Sequence, residues 1–469
     1  MRNLFYLVLC GMWTCLAVPA ASTAQSEERY WTLYRDGAVQ SSANPVIWPE
    51  PGKGVSPGVK TWGTSGAASG PTPGKGPGVG MGNPGAGVGV VRVMRDYALT
   101  VTLTGPRLLM VNGDVLPGRV VEITPADAAS NKPGFLRVQL RNTFSGPQHQ
   151  APLLSVRLDY VQRLVLAEEM LGDYQPGTVI LTDGRKINAR GLRWTKDGLR
   201  VLTAEQILTL TLKELAEVHA PAADTITAVL RDGVFPDVKP TSLIGRLTTL
   251  DGAELTYAQD QMRQTQQIQQ PGNRRVHSQI VQPIWALEPL TIPLDNIVVR
   301  SWRQPTEVPL SLLPAQTLTQ KSYTGYAWQW QRNRAVTGGL LQCRRMSSDL
   351  GLGMHSFMQV AFDLPPGAQE FESYVGLAKE VGAGGCVALR IYADQPAGTP
   401  LWQSGFLQGS EVPLKVGPVV LPAQAKKLVL EVDYGEVGRP VGADPLDIRD
   451  NVNWLLPMVR VDPAALPKP

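Results

Sequence analysis

The chain has 469 residues, of which 43% are hydrophobic and 18% charged. That is enough apolar material for about two to four packed domains. The formal net charge is only +4 and no long basic block occurs, which excludes a phosphate-backbone footprint and makes nucleic acid an unexpected partner.

Residues 1–24 read as a secretory signal peptide. Arg2 supplies the positive start, residues 4–18 the apolar run, and Ser22-Thr23-Ala24 the small residues of a cleavage site. Cys10 and Cys15 fall inside the apolar run and leave with it. Beyond Ala24 no run of about 18 apolar residues follows, so no transmembrane segment is expected after cleavage. The expected location is secreted, periplasmic or cell-surface. Residues 25–96 form an N-terminal segment with one strand-like piece at 30–34. From 51 to 89 roughly half the residues are Gly or Pro, which defeats helix and sheet and points to a tether.

Residues 97–302 read as a β-rich repeat region. An apolar strand, an Asx-Gly turn and further strands recur at Asn112-Gly113, Asp183-Gly184 and Asp232-Gly233. Asx-Gly supplies the positive φ angles of a tight hairpin. The pattern fits two or three small β-barrel-like units, or one continuous β domain. A Gln-, Arg- and Asn-rich insertion at 259–282 reads as a polar loop. Residues 303–321, with several Pro and Thr, read as a linker.

Residues 322–469 hold short strands at the spacing of a β-sandwich. The clearest are 386–392 and 427–432. In order, this region shows Gly351-Leu352-Gly353-Met354-His355, then Phe371-Glu372-Ser373-Tyr374-Val375-Gly376, then Gly385-Cys386-Val387-Ala388-Leu389-Arg390-Ile391-Tyr392. Leu401-Trp402-Gln403-Ser404-Gly405, Leu428-Val429-Leu430-Glu431-Val432 and Asp450-Asn451-Val452-Asn453-Trp454 follow. Together these segments resemble the NPCBM/NEW2 module, known from proteins attached to glycoside hydrolases and from exported bacterial proteins. The resemblance implies a jelly-roll, galactose-binding-like sandwich and a glycan or polysaccharide as partner. The chain departs from the pattern after Gly376, where Leu377, Ala378 and Lys379 stand in place of acidic residues and only Glu380 matches. It departs again at Asn451 and Asn453, which replace His and Asp.

Sugars are held by aromatic faces beneath C–H groups and by a few convergent polar groups. The candidate carbohydrate-binding residues are Trp328, Trp330, His355, Glu380, Asp450, Asn453 and Trp454. Trp402 adjoins a strand end, where packing is the expected role. Cys343 and Cys386 are compatible with either one disulfide or two buried thiols. No cofactor is expected; Asp433, Glu436, Asp444 and Asp447 are the oxygen ligands on which a structural calcium could draw. His149, His219, His277 and His355 lie in separate segments, and no HExxH pair, Gly-x-Ser-x-Gly elbow or P-loop occurs. No catalytic residue is therefore assigned. The reading is an exported non-catalytic protein with a carbohydrate-binding module. The alternative is an envelope structural or protein-interaction component, with envelope proteins as partners, whose sandwich binds no sugar.

Overall fold

The computed structural model of the protein describes residues 30–34, 39–42, 90–95, 104–127, 132–141, 152–221, 226, 243–258, 263–269, 275–323, 325–326, 328–344 and 346–465. The leader expected at 1–24, the tether expected at 51–89 and the turn expected at Asp232-Gly233 lie outside the described residues.

Alternating apolar residues and Asx-Gly turns give antiparallel hairpins in the N-terminal half. Arg107–Met110 pairs with Val115–Thr124 around Asn112-Gly113, and Thr178–Leu181 pairs with Lys186–Asn188 around Asp183-Gly184. Ile244–Thr249 pairs with Glu254–Ala258 around Asp251-Gly252. All three turn glycines have φ between 83° and 86°. Each turn closes with the same backbone bond, from Gly113 N to Met110 O, Gly184 N to Leu181 O and Gly252 N to Thr249 O. Strands from all three segments join one 14-stranded sheet. Its core includes Leu108, Leu116, Leu136, Leu164, Leu255 and Trp285.

A buried carboxylate ties this core together. Asp114 accepts from Thr256 N at 2.7 Å, Thr256 Oγ1 at 2.7 Å, Trp285 Nε1 at 2.8 Å and Arg246 Nη1 at 3.1 Å. Four donors compensate its removal from water. The insertion at 259–282 is not a plain loop. Arg263–Gln269 pairs with Arg275–Val281, which continues onto Leu290–Pro293. Ladder pairing satisfies backbone groups whatever the side chains, so a polar sequence hid this hairpin.

The C-terminal part is a two-layer sandwich. One sheet contains Gln331–Arg332, Gly351–His355, Asn451–Val461, Ala368–Leu377 and Leu414–Val420, with Glu307–Pro309 added on Asn451–Val461. The facing sheet contains Ala315–Gln320, Met358–Asp363, Lys427–Asp433, Cys386–Ala393 and Trp402–Gln408. Leu352, Phe371, Val375, Trp454 and Val459 pack with Val360, Phe362, Leu389, Ile391 and Leu430 in a shared core. The fold class expected from the sequence, mostly β with a C-terminal jelly-roll-type sandwich, is the one observed.

One expectation is corrected, and one open alternative is decided. Residues 303–321 are not a linker, because Glu307–Pro309 pairs with Asn451–Val461 and Ala315–Gln320 pairs with Met358–Asp363. Pro309 and Pro314 sit where they leave the ladders intact, at a strand end and just before a strand. Cys343 and Cys386 form no disulfide; both are free and buried. Cys343 Sγ lies 3.5 Å from Gly376 O, and burial pushes its thiol up to about 12.

Candidate functional site

The strand Gly351–His355 brings His355 to one end of the sandwich, opposite Asn451. There the chain turns through Ser356 and Phe357 into Met358–Asp363. Lys321 and Phe357 exchange both backbone bonds, at 3.0 and 3.2 Å. This pairing extends the sheet edge and carries the segment after Lys321 across the strand end.

That segment delivers three aromatic side chains. The Trp328 ring stacks on His355 with centroids 5.8 Å apart and planes at 27°. Tyr326 meets Trp328 edge-on at 5.0 Å and is 63% exposed. Tyr323 packs on Tyr434 at 4.7 Å, and Phe357 lies 5.8 Å from the same ring. Such contacts are worth about 0.5–1.5 kcal/mol each beyond the area they bury. The Lys321 ammonium lies 5.9 Å from the Phe357 centroid.

A polar layer fixes these rings. Asp447 accepts from Ser322 Oγ at 2.8 Å and from Tyr323 N at 3.0 Å, which sets the start of the aromatic segment. Asp450 accepts from Ser356 Oγ at 2.6 Å and from Cys386 N at 2.8 Å, which sets the turn after His355. Burial pushes the Asp450 carboxyl up to about 7. Burial holds the His355 imidazole below its usual range, so at neutral pH it is uncharged. His355 Nδ1 is 2.7 Å from Ser356 O. A carbonyl only accepts, so Nδ1 carries the proton and Nε2 is left as an acceptor.

The sequence candidates separate into distinct roles. Trp328 and His355 come together, and Asp450 supports them through Ser356. At 1% exposure Asp450 is a buried brace and does not line the surface. Trp454 and Asn453 are corrected, since both are fully buried. Trp454 lies 6.4 Å from Phe371 in the core, and Asn453 Nδ2 donates to Gln342 O. Trp330 stands apart: it meets Phe362 edge-on, donates through Nε1 to Thr317 Oγ1 and lies under the Arg332 guanidinium. Glu380 is exposed and accepts from Thr337 Oγ1 at 3.3 Å. Trp402 is half-buried against the sandwich core, as its position at a strand end suggested.

Three of the four carboxylates on which a structural calcium could draw are engaged by protein groups. Asp433 pairs with Arg390, Asp444 pairs with Arg449, and Asp447 is committed to Ser322 and Tyr323. Among the described residues, no group of three or more His, Cys, Asp or Glu is placed to hold a metal ion. Sequence reasoning missed Tyr323, Tyr326, Phe357 and Tyr434. The available signal was the aromatic spacing around a glycine in Tyr323-Thr324-Gly325-Tyr326-Ala327-Trp328.

The NPCBM/NEW2 domain family matches residues 306–454. No curated protein matches the chain. Among solved structures, CBM51 from Clostridium perfringens GH95 in complex with methyl-galactose is similar at 21% identity. The match covers 33% of this chain and 99% of that one, with a TM-score of 0.26. CBM51-2 in complex with GlcNAc, with INT domains, from Clostridium perfringens ZmpB is similar at 15% identity. There the match covers 45% of this chain and 44% of that one, with a TM-score of 0.27. The CBM22-1-CBM22-2 tandem from Paenibacillus barcinonensis Xyn10C is similar at 10% identity over 77% of this chain and 99% of that one, with a TM-score of 0.19. The C-terminal third of the chain, residues 306–454, is an NPCBM/NEW2 domain, a carbohydrate-binding module.

Proposed function

We propose that this module binds a glycan reversibly at the Tyr326–Trp328 surface, and that the protein is exported and acts without covalent chemistry. The observation that supports this reading most is the aromatic pair backed by an uncharged, buried His355. A sugar ring lies its C–H face on an aromatic ring, while flanking polar groups meet its hydroxyls. Gln320, whose Nε2 donates to Trp328 O, and His355 beneath the Trp328 ring are polar groups in contact with this pair, and exposed Lys321 lies on the same segment. Asp447 and Asp450, the nearby carboxylates, are held by protein donors, which suits positioning better than proton transfer. Export is supported by the leader pattern at 1–24 alone.

Calorimetric titration of the full chain tests the reading. Methyl-galactoside and GlcNAc, the sugars of the similar structures, are the first probes, followed by a glycan array. Trp328→Ala and Tyr326→Ala should each weaken binding at least about tenfold, since removal of a stacked aromatic costs more than about 1.4 kcal/mol at a binding hot spot. Circular dichroism at the assay temperature should show both variants folded, with a lower melting temperature for Trp328→Ala, which also loses the stack on His355. A folded protein that binds no glycan would discard the proposal and leave the interaction-protein alternative. Turnover of a polysaccharide by the full chain would overturn the non-catalytic assignment.

A further inference from the structure

A second recognition surface lies outside the module. Gly191–Thr195, Gly198–Leu202 and Ile207–Thr211 form a three-stranded antiparallel sheet. One face turns inward: Leu199, Val201 and Leu210 are buried, and Leu192, Trp194 and Leu208 pack beside them on the core. The opposite face is open. Arg193, Arg200 and Thr209 form one cross-strand row, and all three are exposed. Leu202 and Ile207 flank this row at 47% and 58% exposure.

Arg193 and Arg200 are direct cross-strand partners. Their Cβ atoms therefore lie about 4.5–5.5 Å apart, and like charges placed so destabilise a sheet. Among the described residues neither guanidinium has an ion-pair partner. Exposed Arg190 adds positive charge, while Lys196 and Asp197 share one turn and Glu205 sits on the other, so the Arg193–Arg200 pair sets the charge of the row. Two neighbouring guanidiniums suit one bridging oxyanion, since each offers a planar fork of donors to a carboxylate or sulfate.

We infer that this face binds an acidic polysaccharide, with the Arg193–Arg200 pair clamping a carboxylate or sulfate group. The partner chemistry follows from the surface. It is flat, it is cationic, and it has exposed aliphatic side chains that pack on sugar C–H groups. Its one nearby aromatic, Trp194, faces the core, so it lacks the stacking platform that single-stranded nucleic acid uses. The site does not depend on the sandwich, because its residues lie wholly outside 306–454.

The test is retention of the full chain on immobilised dextran sulfate and polygalacturonate at low salt, with neutral dextran as control. Retention on both acidic polymers but not on dextran is expected, weakening steeply as salt rises. The double variant Arg193→Glu/Arg200→Glu should lose binding at least about tenfold, because two charge-assisted contacts disappear. Thr209→Glu, which places a negative charge in the same row, should lower it as well. If the double variant fails to fold, Thr209→Glu decides alone. Binding of neutral sugars at the sandwich should be unchanged in all variants, which separates this surface from the Trp328 site. Unaltered retention of folded variants, no retention of the parent, or displacement from polygalacturonate by single-stranded RNA at a lower charge concentration would each overturn the assignment.

Discussion

Beneath the aromatic cluster, Asp450 is buried with two donors and its carboxyl is pushed up to about 7. In the unfolded chain the same carboxyl titrates near its ordinary value of 3.8. Between those pH values the folded state binds more protons than the unfolded state, so stability falls as pH rises through this window and stays low above it. His355 works in the other direction. Its folded value is lowered by burial, so its contribution is lost as pH falls below the usual imidazole range. The two opposing windows are separated by Asp450→Asn. The amide keeps an acceptor for Cys386 N–H and turns its NH2 toward Ser356 Oγ, which then accepts. Urea midpoints measured from pH 4 to 8 should show the Asp450→Asn variant gaining on the parent as pH rises. A constant difference across that range would show that Asp450 does not titrate there.

Tryptophans divide by burial at the same scale. Trp454→Ala should cost about 3–5 kcal/mol in denaturant unfolding, because it empties a fully buried site beside Phe371. The Trp454 indole N–H has no protein partner. Trp454→Phe should therefore cost less than Trp454→Ala, through lost volume only. An equal loss for the two variants would mean that the indole nitrogen matters.

The strand Gly351–His355 explains at the element scale why the Gly-Leu-Gly-x-His segment has its glycines. A Cβ on Gly351 would stand 2.2 Å from Trp454 O, and one on Gly353 would stand 2.3 Å from Val336 N. Both obstacles are backbone and cannot swing away. The glycines let the strand lie against Asn451–Val461 and under the segment that passes over it, so this motif serves packing before recognition. Gly353→Ala should destabilise by about 1–3 kcal/mol, the range for overpacking a tight site, and should disturb Gln331–Arg332 beside it. Thermal melts and amide exchange at Gln331 would register this. A neutral effect would mean that the passing segment yields. The strands around this motif were legible because their apolar residues recur every second position, as in Lys427–Asp433. Pairing at Ala315–Gln320 was not legible, since its exposed Gln and Thr side chains carry no apolar signal.

Over the whole molecule, the long sheet and the sandwich meet at a small cleft. Ile244 and Trp302 come from the sheet, and Pro309, Leu312, Leu350, Leu456 and Met458 from the sandwich side. Ser301 Oγ donates to Asp349 Oδ2 at 3.1 Å across this junction, and the Leu312 side chain lies over Gly113. Exposing such apolar side chains to water costs roughly 25 cal/mol per Å². A fragment of residues 303–465 should therefore melt below the temperature at which the same sandwich melts in the full chain. Calorimetry of the two, with equal melting temperatures as the contrary result, checks this coupling.

From sequence alone, periodicity and turn chemistry determined that the chain is β-rich and that its C-terminal part is a sandwich, while the family resemblance rests on motif segments such as Gly351–His355 and Asp450–Trp454. These are local properties, written in residues two to four positions apart. The tertiary structure decided which aromatics reach the surface together. Trp328, outside any strand, gains His355 from the strand Gly351–His355, Trp454 disappears into the core, and Asp447 and Asp450 become braces instead of ligands. The same level of structure turned residues 303–321 from a connector into sandwich strands. Burial and cross-strand proximity depend on segments far apart in the chain, and no single stretch of sequence encodes that distance.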